Sequence, residues 1–242
     1  MDPKIYKLNN QIEQTMWWFR ARLNIIMRLL KAYILPSNPE SLLDFGAGTG
    51  FISSRLNQYV PVTAVDKFQE TQEFNHFPIV LRDLSEYASE SFDIVTAFDS
   101  LEHCKDDEKV IAEFFRILKP GGFVFITVPA LQVFWSYHDV IHHHFRRYNK
   151  NEIIKKFTKF SIQPVKASYF NFFLFPFFAI AIGFIKIKER ISGKPSDTTE
   201  QIPFLNSVFY AIFNLESALI LSLNFPVGSS LVFIGKKCER GG

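Results

Sequence analysis

Hydrophobic positions along this chain fall into two kinds of run, and their spacing tells them apart. In QIEQTMWWFRARLNIIMRLLKAYI, residues 11–34, apolar side chains recur every three or four places, with Arg20, Arg22, Arg28 and Lys31 between them. That period predicts one amphipathic helix, stopped by Pro36 and Pro39. A different pattern begins at Ser41. SLLDF, VTAVD, IVLRD, FDIVTAF and FVFITV are short, β-branched or aromatic, and apolar on both faces. They predict five buried strands. FISSRLNQY and DDEKVIAEFFRILK fall between strands as helices. The second carries carboxylates in its first turn and a lysine in its last, as a helix dipole prefers, and the PGG after it turns the chain into strand five. Strands alternating with helices predict an α/β fold, a parallel sheet wound on both faces.

Beyond strand five the pattern changes again. WSYHDVIHHHFRRYNKNE, residues 135–152, is polar and predicts a loop followed by a helix; IQPVKASYF then reads as a sixth strand. Residues 171–228 are an insertion with two apolar runs, NFFLFPFFAIAIGFI and FLNSVFYAIFNLESALILSL, joined by a basic KIKER and a polar SGKPSDTTEQ. The protein holds 28 phenylalanines, and seven of them lie between Phe170 and Phe184. Ala167 to Ile185 is free of charge over 19 residues, near the ~20 that span a bilayer. Asn171 and Pro176 interrupt it, however, and part of it serves as strand six. Glu216 sits in the second run, where lipid would make it expensive. The expectation is a pair of helices packed on the sheet, with one face of 171–222 toward a membrane surface or a lipid acceptor. Lys186, Lys188 and Arg190 are then available to anionic headgroups.

Composition narrows the classes. With 242 residues, 48% apolar and 21% charged, the chain suits one globular domain with an insertion. It divides into an N-terminal helical cap (1–39), a sheet core (40–170 and 229–237) and the apolar helical insertion (171–228). A net charge of +3 is too mild for a dedicated nucleic-acid binder. Two cysteines, Cys104 and Cys238, give neither a disulfide framework nor a zinc spacing. With no apolar signal core in MDPKIYKLNN, the expected compartment is the cytoplasm, with the inner face of the membrane as its edge.

The chemistry starts at LLDFGAGTG. A glycine loop between a first strand and a first helix is a nucleotide site in general. No Lys-Ser/Thr follows, which excludes an ATP-type phosphate loop, and the spacing G-x-G-x-G is not that of dinucleotide binders. Asp44, two residues before Gly46, would repel a pyrophosphate but suits the ammonium of an amino acid. Asp66, ending strand two, can accept both hydroxyls of a ribose, and Asp83, ending strand three, the exocyclic amine of an adenine. An amino acid, a ribose and an adenine without phosphate describe S-adenosylmethionine.

LLDFGAGTG, AVD, LRD, FDIVTAFDSLEH and RILKPGGFVFITVP, taken in order, resemble the successive motifs of class I S-adenosylmethionine-dependent methyltransferases over roughly residues 40–130. More narrowly they are similar to a bacterial branch close to the ubiquinone-biosynthesis O-methyltransferases. The resemblance implies a Rossmann-like sheet of seven strands, order 3-2-1-4-5-7-6. Strand seven would be antiparallel and drawn from SSLVFIG, Ser229–Gly235. It also implies cofactor contacts from Asp44, Gly46, Ala47, Gly48, Gly50, Asp66, Lys67, Asp83, Leu84, Phe98 and Asp99.

Methyl transfer is an in-line displacement that gains most from alignment in a dry site, and a hydroxyl acceptor adds the need for a base. Two stretches offer one. DSLEH resembles a segment that holds a divalent metal in ubiquinone-type and small-RNA methyltransferases, through Asp99, Glu102 and His103. Asp99 is shorter than the glutamate those families carry, so the favoured reading makes Glu102 and His103 the shape of the loop above the cofactor, without metal. The second stretch is the histidine-rich 135–152. His144 is the first candidate base, because it precedes FRRY as in the bacterial branch; His138 is the second and His103 the third. Arg146 and Arg147 are candidates for an anionic acceptor group. Of Trp17, Trp18 and Phe19, consecutive on a helix, at least one is expected over the cleft, which makes Trp17 and Trp18 acceptor candidates.

The function expected is therefore methyl transfer, most simply to oxygen, on a small or lipid-linked acceptor with an apolar part and an anionic or hydroxylated end. The competing readings are a nicotinamide-dependent oxidoreductase, which the glycine spacing and Asp44 oppose; a small-RNA 2′-O-methyltransferase, which the weak charge opposes; and a membrane-associated cofactor-binding module without turnover, which the histidines oppose.

Overall fold

A computed structural model describes residues 3–74, 76–192 and 203–239. Seven strands form one sheet: β1 (Leu42–Phe45), β2 (Val62–Asp66), β3 (Ile79–Leu81), β4 (Phe92–Phe98), β5 (Leu118–Pro129), β6 (Ile162–Phe170) and β7 (Ser230–Lys237). Their order is β3-β2-β1-β4-β5-β7-β6, as expected. β7 runs antiparallel to both its neighbours, and the other pairings are parallel. The doubly apolar runs are the central strands. Leu42, Leu43, Ile94, Val95, Phe125 and Ile126 are fully buried, as a sheet covered on both faces requires.

The helices are α1 (Pro3–Ile12), α2 (Trp17–Leu29), α3 (Phe51–Leu56), α4 (Asp107–Ile117), α5 (Tyr137–Ile141), α6 (Lys150–Thr158), α7 (Phe175–Ser192) and α8 (Pro203–Leu219). The single helix expected over 11–34 is two. The chain breaks at 13–16, where Met16 is extended and the Glu13 carboxylate turns to accept the Thr49 hydroxyl at 2.7 and 2.9 Å. Apolar spacing runs through the break because both helices cover the same cleft, so periodicity alone misses it. The PGG turn before strand five lies inside β5 as a bulge: Leu118 pairs with Phe92, and pairing resumes at Phe123 with Ile94. β3 ends two residues short of Asp83, which instead caps the following turn.

The insertion contributes α7 and α8, and α8 joins the sheet to the N-terminal cap. Asn24 Nδ2 donates to Tyr210 and Asn214 on α8, at 3.0 and 2.7 Å. Trp17 meets Phe209 and Phe213 edge to face. Glu216, conspicuous in an apolar run, is buried and accepts the Phe173 N–H at 2.8 Å. It holds the turn between β6 and α7, and burial raises its pKa. Among the described residues no helix is long and apolar enough to cross a membrane.

Candidate active site

One cavity of about 1090 Å³ opens at the carboxyl ends of the parallel strands, roofed by α1, α2 and α7. Sheets of this kind place their ligands there, and the volume is at the upper end of the ~300–1,000 Å³ of single-ligand sites.

The first half lies over β1, β2 and β3. Gly46, Gly48 and Gly50 all have positive φ, and Gly46 is pressed against Ser100, so a Cβ there would lie 2.4 Å from the Ser100 hydroxyl. Only glycine fits both constraints. Asp66 accepts the Gly48 N–H at 3.0 Å and the Phe68 N–H at 3.1 Å, yet burial dominates and raises its pKa. Asp44 is buried and accepts the hydroxyls of Ser53 and Thr96, each at 2.6 Å. Burial outweighs those bonds and pushes it up to about 6. Ala47, Lys67, Asp83, Leu84, Phe98 and Asp99 line the same cavity, with Trp17 and Trp18 in its roof. Gly50 stands behind the loop as the residue entering α3.

Two residues that sequence reasoning passed over complete this half. Arg22 is buried beneath Trp18, with its guanidinium 5.0 Å from the ring centre. Its Nη2 lies 2.7 Å from Asp99 and 3.3 Å from Thr127, while its Nε has no partner among the described residues. Glu13 reaches Thr49 of the glycine loop, and His76 stands 3.4 Å away. Burial pushes the Glu13 carboxyl up to about 7. Arg22 stood in view within WWFRAR, but nothing in the sequence separates it from Arg20, which instead lies outside the cavity over Tyr210.

The second half lies beyond β4 and β5. His103, His138, His142 and His144 all line it, with the His103 and His144 rings 4.7 Å apart and those of His138 and His142 4.0 Å apart. His144 Nδ1 is 2.9 Å from Asp139. A carboxylate only accepts, so Nδ1 carries the proton and Nε2 is left as the acceptor. That nitrogen faces Glu102, at 4.0 Å. Asp139 also takes a two-pronged contact from Arg147, at 2.8 and 2.9 Å, and the Ser136 N–H at 2.8 Å. Burial alone would raise its pKa, but His144 and Arg147 overrule it and hold the carboxyl well below the usual range. Burial, reinforced by the charge of neighbouring histidines, pushes His103 and His142 down to about 3.

Glu102 is fully buried, and neither of its carboxylate oxygens has a hydrogen-bond partner among the described residues. Burial first, and then the Asp99 charge, raises its pKa well above the ordinary value. Ligand atoms of Glu102, His103 and His144 lie within 4.8 Å of one another. The candidate trio that the resemblance offered, against the favoured reading without metal, had Asp99 in place of His144. The structure differs because Arg22 draws Asp99 away. The two candidate arginines are also divided: Arg147 is committed to Asp139, whereas Arg146 lies outside the cavity, paired with Asp107 at 3.0 Å.

A family model for a methyltransferase domain matches residues 18–164. The chain belongs to the class I S-adenosylmethionine-dependent methyltransferases. Among curated relatives, this methyltransferase is similar to the ubiquinone biosynthesis O-methyltransferase of Pseudomonas fluorescens, 32% identical over 101 residues that cover 36% of this chain and 44% of that protein. The match thus spans less than half the length of such relatives. Among solved structures it resembles phosphoethanolamine N-methyltransferase 2 of Haemonchus contortus in complex with S-adenosylmethionine, at 19% identity and a TM-score of 0.55, over 89% of this chain and 52% of that one. A methyltransferase of Archaeoglobus fulgidus gives 16% identity and a TM-score of 0.53, over 87% and 94%. At these identities the structures share the fold. The cofactor of this methyltransferase is S-adenosylmethionine, and the rival nicotinamide reading falls with the family.

Proposed function

We propose that the enzyme transfers the methyl group of S-adenosylmethionine to a hydroxyl oxygen of an amphiphilic acceptor, with His144 as the base. The observation that carries this reading is the 2.9 Å contact between His144 and Asp139 in the same cavity as the glycine loop. In this reading Asp66 holds the ribose hydroxyls, Asp83 the adenine amine, Asp44 the side of the methionine ammonium, and Arg22 the methionine carboxylate. The acceptor oxygen attacks the methyl carbon as the carbon–sulfur bond breaks. Its proton passes to His144 Nε2, and S-adenosylhomocysteine leaves. Asp139 keeps the imidazole in the productive tautomer and offsets the charge it acquires. The similarity to a ubiquinone biosynthesis O-methyltransferase supports oxygen as the methylated atom.

A second reading is favoured by the uncommitted carboxylate of Glu102. A buried carboxyl whose oxygens lack a hydrogen-bond partner is costly, and two imidazoles beside it complete a set that fits a divalent ion. Glu102, His103 and His144 would hold the ion, and Asp139 would orient His144 from behind, a common support for a ligating histidine. Such an ion acidifies a bound hydroxyl.

Labelled S-adenosylmethionine incubated with fractionated cell extract tests the first reading. A labelled methyl ether, lost with His144→Ala, is expected; a methylated nitrogen or carbon refutes it. Elemental analysis of the purified protein, with Glu102→Gln alongside, separates the second: metal bound by the native chain and lost from the variant supports it.

A further inference from the structure

α7 is inside out for a helix at a protein surface. A surface helix turns its polar side to water, but here Phe177 and Phe184 are 69% and 68% exposed, and Ile180 and Ile187 more than half. Their spacing of three, four and three residues puts them on one side. The opposite side is spoken for: Phe178 and Ile182 line the reaction cavity. In the segment that borders the cavity, Val133 and Val140 are exposed as well. Phe134 fastens that segment to α7 through Phe175 and Phe178, with ring centres 5.2 and 5.7 Å apart, and Lys186 Nζ donates to the Val133 carbonyl at 2.7 Å. At the far end of the same helix Lys188 and Arg190 are exposed.

We infer that this face of α7, with the 133–140 rim, docks on a lipid bilayer carrying anionic headgroups. Aromatic and aliphatic side chains along one flank, closed by cations, are what an interfacial helix presents to such a surface. The phenylalanines enter the headgroup boundary while Lys188 and Arg190 meet phosphates. α7 lies flat, since it does not qualify as a span. One flank of the helix then touches lipid while the other walls the cavity. An acceptor whose hydrocarbon tail stays in the membrane can then present its head to the cavity from the rim that α7 and the 133–140 segment form together. That route deepens the acceptor reading, but the docking itself needs no turnover, so the two can fail separately.

Flotation of the full chain with phosphatidylcholine vesicles, with and without phosphatidylglycerol, is the test. The native chain should float with the anionic vesicles and release as salt is raised. Phe177→Asp with Phe184→Asp should cut the bound fraction at least about tenfold, since each ring gives up its burial in lipid. Lys188→Glu with Arg190→Glu should abolish the preference for phosphatidylglycerol. Calorimetry with S-adenosylhomocysteine should show unchanged cofactor binding in both, which certifies their folding. A native chain that floats with neither vesicle overturns the proposal. So does light scattering that shows a dimer broken by the two phenylalanine changes, for then the face belongs to a second copy.

Discussion

Arg22 of α2 and Asp99 at the end of β4 meet at 2.7 Å in the floor of the cavity. The pair joins the N-terminal cap to the strand end that separates the two halves of the site. Because the Arg22 side chain is 6% exposed and that of Asp99 25%, the contact is screened less than a surface pair.

Removing the cation should therefore cost both stability and cofactor. Arg22→Ala strands Asp99 near Glu102, and breaking a buried pair costs about 3–5 kcal/mol, with the lower end expected here because Asp99 is partly exposed. Chemical denaturation should show that loss. Calorimetry should show weaker S-adenosylhomocysteine binding. A variant with normal affinity would remove Arg22 from the cofactor site.

Asp66 and Glu102 should separate by ligand. If Asp66 accepts the ribose hydroxyls as proposed, Asp66→Ala removes a hydrogen-bonded subsite and should weaken S-adenosylhomocysteine by about tenfold or more. Glu102→Gln faces the other half of the cavity and should leave that constant within about twofold. Equal losses in both would mean that the two halves are not distinct sites.

Asp139→Asn should uncouple binding from reaction. The amide can donate to Nδ1 and so turn the His144 imidazole to the wrong tautomer, lowering methyl transfer by about a hundredfold or more. Cofactor affinity should hold. The same group carries a pH signature: its folded pKa lies below the ordinary value, so its stabilising contribution is present above about pH 4 and is lost as pH falls through the folded pKa. Melting curves in acid should be less steep in pH for Asp139→Asn.

Glu13 should show the opposite sign. Its pKa is raised by burial to about 7 in the folded chain, above the unfolded value near 4.3. The folded state then holds the proton more tightly, so this group favours folding below about pH 4 and the benefit fades as pH rises through about 7. Glu13→Gln removes the titration. Its melting temperature should exceed that of the native chain most clearly above pH 7, and a constant difference across pH would refute the assignment.

What the sequence determined by itself was whatever rests on local pattern. Strand period, turn glycines and motif spacing are properties of neighbouring residues, so the strands, the glycine loop, Asp44 and Asp66 were legible there, and the order of the seven strands came with the family resemblance that those motifs carry; Asp83 was legible as a residue but not as a turn cap beyond β3. Glu102, His103 and His144 were legible as chemical types, since a histidine-rich loop after a strand end is visible in the chain. Their grouping was not. Tertiary structure alone decided that Arg22 takes Asp99 out of that cluster, that Arg147 serves Asp139 while Arg146 turns outward, and that the apolar period of 11–34 is broken at Glu13. It also decided which flank of α7 is covered and which is left bare. The reason is common to all of these. A periodic pattern records that a side chain avoids water or seeks it, whereas the choice of partner among several equivalent charges or faces depends on which distant segments fold against it.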